Sequence, residues 1–224
     1  MSVNEQHYKA ILAKTKAAGA TLVAVSKLKP VSDIKALYDL GQRDFGENYV
    51  QELVEKQAQL PPDIRWHFIG HLQSNKVKYM APFVHLIQGV DSEKLLIEID
   101  KQAGKNDRVI DCLLQVHIAQ EETKFGFDGA EVTALIDRIG SGALVLPNIQ
   151  VKGVMAMASF TEDANKLKQE FTAMKTIFER NAKSETPNLK LETLSMGMSG
   201  DYELALEYGS TMIRVGSLLF GART

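Results

Sequence analysis

The chain has one cysteine, Cys112, so no disulfide can form within it. Its neighbours in Asp111-Cys112-Leu113-Leu114 are largely apolar, a setting in which a thiol is buried and inert rather than nucleophilic. Aromatic residues are scarce, at 7% of a chain that is 45% hydrophobic. The core must therefore come from Leu, Ile, Val, Ala and Met, which suits helices packed on parallel strands. No dense Lys/Arg block occurs and the net charge is −2, so the basic face of a nucleic-acid binder is missing. No apolar run approaches the roughly 20 residues needed to cross a bilayer. The opening stretch MSVNEQHYKA lacks the apolar segment of a secretory signal, and a cytoplasmic location is expected. There is no P-loop, no G-x-S-x-G elbow and no dinucleotide fingerprint. No linker, low-complexity stretch or shift in composition divides the 224 residues, so residues 1–224 are expected to form one domain.

What the chain does have is alternation. Thr21-Leu22-Val23-Ala24-Val25-Ser26 is short, apolar and rich in β-branched residues, the signature of a buried strand. Similar segments recur at 44–46, 65–69, 84–87, 109–116, 151–157, 191–194 and 212–215. Helical patterns are expected at 3–18, from Ser32 to Gly41, and at 48–60, 76–80, 92–103, 129–139, 164–182 and 199–208. Apolar strands alternating with helices imply parallel strands joined by right-handed crossovers. Eight such units predict an α/β fold, a closed (β/α)8 TIM barrel, with an open doubly wound sheet as the alternative.

A β/α barrel carries its active site at the C-terminal ends of its strands. Lys27 directly follows the first strand candidate. Partial burial there would favour the neutral amine, the form that attacks an aldehyde, although lysines also cap strand ends for solubility. After the seventh candidate comes Ser195-Met196-Gly197-Met198-Ser199-Gly200, and after the eighth Arg214-Val215-Gly216-Ser217. Small residues at these two turns let backbone N–H groups and hydroxyls approach an anion, while ordinary turns use the same residues. Arg214 interrupts an apolar strand, so it should face a ligand or be paired, for example with Glu192 or Glu203.

Lys27, Gly46-Glu47-Asn48, the string from His67 to Lys76 (HFIGHLQSNK), Lys124-Phe125-Gly126-Phe127, Leu194-Ser195-Met196-Gly197-Met198-Ser199 and Arg214-Val215-Gly216-Ser217-Leu218-Leu219-Phe220-Gly221 together resemble the pyridoxal phosphate (PLP) homeostasis protein family. Its members are single-domain relatives of the barrel domain of alanine racemase. The resemblance runs from Ala24 to Gly221. It implies Lys27 as the Schiff-base lysine and Asn48 near the cofactor ring. It implies Ser195, Met196, Ser199, Gly216 and Ser217 around the phosphate of pyridoxal 5'-phosphate, and Arg214 at the pyridine nitrogen. The chain departs from many members at Leu28, where they carry Thr.

Other constellations are weaker. His67 and His71 have an H-x-x-x-H spacing, but Gly70 interrupts it and packing or hydrogen bonding is expected rather than zinc. His85 and His117 are expected in the core. Lys124 is expected at the surface, with the barrel mouth as the alternative. Met155 and Met157 are expected in the core, with Met196 and Met198 near a ligand. Two function classes follow. One is a PLP carrier of the homeostasis type, acting as a monomer on apo PLP-dependent enzymes. The other is a PLP-dependent racemase or lyase. Racemisation needs an acid/base on each face of the substrate, and in alanine racemase a tyrosine of the partner subunit provides the second. Tyr202 and Tyr208 fall on a helix here, which favours the carrier.

Overall fold

The β-branched runs do form strands, and each pairs in parallel with the next. The computed structural model describes residues 3–118, 125–183 and 185–221. Its elements run α1 Glu5–Ala17, β1 Thr21–Val25, α2 Val31–Asp39, β2 Asp44–Glu47, α3 Val50–Gln57, β3 Arg65–Phe68, α4 Val77–Met80, β4 Leu86–Val90 and α5 Glu93–Gly104. They continue β5 Ile110–Gln115, α6 Gly129–Gly140, β6 Ile149–Met155, α7 Ala164–Asn181, β7 Glu185–Thr186, β8 Leu189–Ser195, α8 Tyr202–Glu207, β9 Met212–Val215 and α9 Ser217–Phe220. β1 to β6 pair in chain order, β6 pairs with β8, β8 with β9, and β9 with β1. The ring is thus closed by eight parallel strands, and the two-residue β7 adds to β8 in antiparallel sense. Closure leaves no sheet edge among the barrel strands, and the helices cover the outer face.

Alternation along each strand sorts the core into two layers. Leu22, Ala24 and Phe45 point outward into the large cluster shared with helix residues such as Ile34, Leu53, Leu96 and Phe171. Val23, Leu86, Leu113, Met155 and Met212 form a separate, smaller cluster inside the barrel. The helices begin where the sequence offers caps. Asp128 and Glu131 form a capping box on α6, and Asp163 accepts from the first turn of α7. Among the described residues no helix is long and apolar enough to cross a membrane.

Some boundaries differ from expectation. The fourth strand is Leu86–Val90 rather than 84–87, so Gln88 and Gly89 are strand residues. As a result His85 is exposed just before the strand and does not join the core. His117 is half-buried after β5, where its backbone N–H pairs with the carbonyl of Phe127. Cys112 is fully buried, and burial pushes its thiol pKa well up.

Candidate functional site

A cavity of about 380 Å³ opens among the ends of β1, β2, β3, β6, β8 and β9. Lys27, Asn48, Ser199, Arg214, Gly216 and Ser217 all line it. Ser195 and Met196 do not. Both are fully buried, Ser195 at the end of β8 and Met196 directly after it. Ser195 turns into the barrel interior, towards Gln88 and Arg214, and Met196, the next residue, turns to the other face and packs in the helix-covered cluster. The methionines split as well. Met155 and Met196 are core, whereas Met157 and Met198 line the cavity. Lys124 lies outside the described residues.

Lys27 sits in a tight turn after β1. The N–H of Lys29 donates to the carbonyl of Ser26 at 3.0 Å. Leu28 adopts a positive φ of 61°, and its N–H donates to Glu52 Oε1 at 2.6 Å. Such a backbone is costly for a bulky residue and persists only where neighbours fix it. Beneath the turn, Lys56 Nζ donates to Glu47 Oε1 at 2.8 Å, to Glu52 Oε1 at 2.6 Å and to the Ser26 carbonyl. Glu47 is fully buried, and burial raises its carboxyl pKa despite Lys56 beside it. The Glu52–Lys56 pair is legible as an i,i+4 spacing on a helix. Its link to Glu47 arises only when α3 packs on the barrel.

Arg214 is 4% exposed, and burial lowers its pKa to about 10, so it remains a cation at neutral pH. It pairs with neither Glu192 nor Glu203. Those residues meet Lys152 and Lys190, and Lys14, respectively. Two of its N–H groups donate, one to Ser195 Oγ and one to the Ala156 carbonyl at 2.8 Å. A guanidinium has five donors, and these two bonds among the described residues leave others available to the cavity that it lines.

Across the cavity the turns after β8 and β9 meet. The N–H of Gly216 donates to Ser199 Oγ at 3.2 Å, which leaves the Ser199 hydroxyl hydrogen for a ligand. Gly197 has φ +97°, and a Cβ there would lie 2.6 Å from Ala205 Cβ, so only glycine lets this turn close against α8. Asp201 accepts from the N–H of Met198 and lines the same cavity; burial raises its carboxyl pKa. On the opposite wall the Asn48 side-chain oxygen is shielded from solvent and has no hydrogen-bond partner among the described residues. Gly70 packs against that wall, where a Cβ would come 2.3 Å from the Asn48 carbonyl. The cavity thus brings together an amine, a buried cation and two small-residue turns. Such a set can hold a ligand with an electrophilic carbonyl at one point and an anion at another.

At the opposite mouth, Asp44, His67 and His85 bring potential ligand atoms within 4.8 Å of one another. Arg65 takes both Asp44 oxygens, and His67 Nε2 faces Asp44 at 3.0 Å, so Asp44 and His67 already have partners. His71 points elsewhere and meets Asp91 Oδ2 at 2.9 Å. The two histidines of the H-x-x-x-H spacing therefore serve separate hydrogen bonds.

Comparison with known proteins agrees with this architecture. Residues 4–224 match the family model of the alanine racemase N-terminal domain. A pyridoxal phosphate homeostasis protein of Pasteurella multocida is 40% identical over 216 residues, covering 94% of this chain and 90% of the relative. The human protein of the same name is 37% identical over 236 residues, covering 99% and 84%. PipY of Synechococcus elongatus PCC7942, solved without PLP, superposes with a TM-score of 0.88 at 36% identity, covering 96% and 99%; its structure with PLP bound superposes at 0.84. The chain belongs to the alanine racemase N-terminal-domain family, among the pyridoxal phosphate homeostasis proteins.

Proposed function

We propose that this chain binds pyridoxal 5'-phosphate covalently through Lys27 and acts inside the cell as a monomeric PLP carrier in cofactor homeostasis, supplying apo-enzymes rather than running a reaction of its own. The observation that carries this reading is the meeting of Lys27, Arg214 and the turns at Ser199 and Ser217 in one cavity. The residues present fit the cofactor, because an amine, a buried guanidinium and the hydroxyl and N–H donors of two small-residue turns line one cavity. When bound, PLP supplies a reactive aldehyde and an electron-accepting pyridine ring.

In this reading Lys27 is the attacking amine. Ser199, Gly216 and Ser217 hold the phosphate, and Asn48 fixes the ring's edge. Arg214 lies at the ring nitrogen. Being a donor only, it has no acceptor to share a pyridinium proton, so it favours the unprotonated nitrogen and restrains catalysis. Ser195 and Met196 support this surface from below. Two further facts support a carrier. Tyr202 donates its hydroxyl to Glu203, and Tyr208 packs its ring 6.4 Å from that of Phe171, so neither serves as a second acid/base in the cavity. The Pasteurella multocida and human relatives carry the homeostasis name.

Borohydride reduction of PLP-loaded protein should leave a pyridoxyl group on Lys27, detected by mass spectrometry and absent in Lys27→Ala. A wild-type protein without the adduct would falsify covalent attachment. Loaded protein should also restore activity to an apo PLP enzyme, whereas sustained turnover of any amino acid in a test panel would overturn the carrier assignment.

A further inference from the structure

A buried polar path crosses the barrel interior from Arg214, and it has one direction. Arg214 Nη1 donates to Ser195 Oγ, and the Ser195 hydroxyl donates to Gln88 Oε1 at 2.8 Å. Gln88 Nε2 lies 3.1 Å from His67 Nδ1, and His67 Nε2 lies 3.0 Å from Asp44 Oδ1. Asp44 is anchored by Arg65, whose Nε meets Oδ1 at 2.7 Å. The members stand on β9, β8, β4, β3 and β2. Ser195 and Gln88 are fully buried and His67 is 1% exposed, so water cannot substitute for a lost partner.

The chemistry fixes who donates at every step. A guanidinium only donates, so the Ser195 oxygen accepts and its hydrogen passes to Gln88. That sets the carbonyl of the Gln88 amide toward Ser195 and its NH₂ toward His67. His67 Nδ1 must then be unprotonated, and its proton sits on Nε2, facing the Asp44 carboxylate. Turning the Gln88 amide over would leave the Ser195 hydrogen without its acceptor. It would also require a proton on Nδ1. A neutral His67 would then face Asp44 with a bare nitrogen. Buried polar groups left in that state are costly.

We infer that Gln88 and His67, acting through Ser195, are positioning residues that set the orientation of Arg214 at the ring end of the ligand. None of the three lines the cavity. The inference rests on the reading above that Arg214 faces the cofactor ring. It also gives Ser195 a role at the ring end rather than at the phosphate.

The test has two independent parts. In the unliganded wild-type protein, nitrogen-15 NMR of the histidines should find His67 neutral with its proton on Nε2; a proton on Nδ1 overturns the chain. In the loaded protein, Gln88→Leu should weaken binding roughly 5–10-fold for pyridoxal and for pyridoxal phosphate alike, the scale of one lost buried hydrogen bond. The loss should vanish in an Arg214→Met background, because the effect travels through Arg214. Equal losses in both backgrounds, or a loss confined to the phosphorylated ligand, overturn the inference. Should Gln88→Leu not fold, Ser195→Ala carries the same cycle. Failure of the Lys27 adduct would remove the proposed function while leaving the NMR result intact, so the two failures are distinguishable.

Discussion

Lys56 Nζ lies 2.7 Å from the carbonyl oxygen of Ser26, a bond that ties α3 to the residue just before Lys27. Lys56 also completes an ion pair with the fully buried Glu47. Removing one partner of a buried pair leaves the other charge uncompensated, at a cost of about 3–5 kcal/mol. Lys56→Met should therefore lower stability on that scale in urea titrations and loosen the Lys27 turn. Adding Glu47→Gln should recover part of the loss. A single variant as stable as the wild type would show that the pair contributes little.

The second prediction concerns acid. Burial works to raise the pKa of Asp44, but hydrogen bonds from His67 and Arg65 outweigh it and hold the carboxyl at about 2, below its ordinary 3.8. A carboxyl with a depressed folded-state pKa binds its proton more readily when unfolded. Its stabilisation is therefore complete above about pH 4 and drains away as pH falls towards 2, with roughly 2 kcal/mol at stake. Urea titrations between pH 5 and 2 should show this slope in the wild type and a shallower one in Asp44→Asn. Parallel curves would assign the acid sensitivity elsewhere.

The third prediction follows from the turn after β8. Gly197→Ala forces a side chain into φ +97° and into contact with Ala205. The strain should cost about 1–3 kcal/mol. Because the turn also carries Ser199, affinity for pyridoxal phosphate should fall more than affinity for pyridoxal. An unchanged melting temperature would mean that the turn relaxes freely.

Most of the barrel was legible because a buried parallel strand has a short apolar signature and a helix must follow it. The fourth strand was displaced for an identifiable reason. Gln88-Gly89 looks like a strand end in sequence, yet the Gln88 side chain is satisfied inside the barrel by Ser195 and His67. Partners 107 and 21 residues away are invisible to local pattern. The same limit hid Glu47 and Lys56, whose pairing depends on how α3 packs. Six of the eight expected site residues line one cavity at the strand ends. Ser195 and Met196 also lie at and just past a strand end but are deeper in the molecule, Ser195 turned into the barrel and Met196 into the helix-covered cluster, a choice of face set by strand register.

That difference in depth leads to the final prediction, which separates the two serines beyond β8 and β9 from Ser195 by ligand. Ser199 and Ser217 line the cavity, and Ser199 is held by the N–H of Gly216. If they grip the anionic tail, each change to Ala removes a charge-assisted hydrogen bond and should weaken pyridoxal phosphate binding by roughly tenfold. Pyridoxal lacks the phosphate, so its affinity for both variants should match the wild type. Ser195→Ala should weaken the two ligands equally, because its effect passes through Arg214. Isothermal titration with the two ligands against the three variants gives the comparison directly. Equal losses for Ser199→Ala and Ser217→Ala with both ligands would move the phosphate away from these turns.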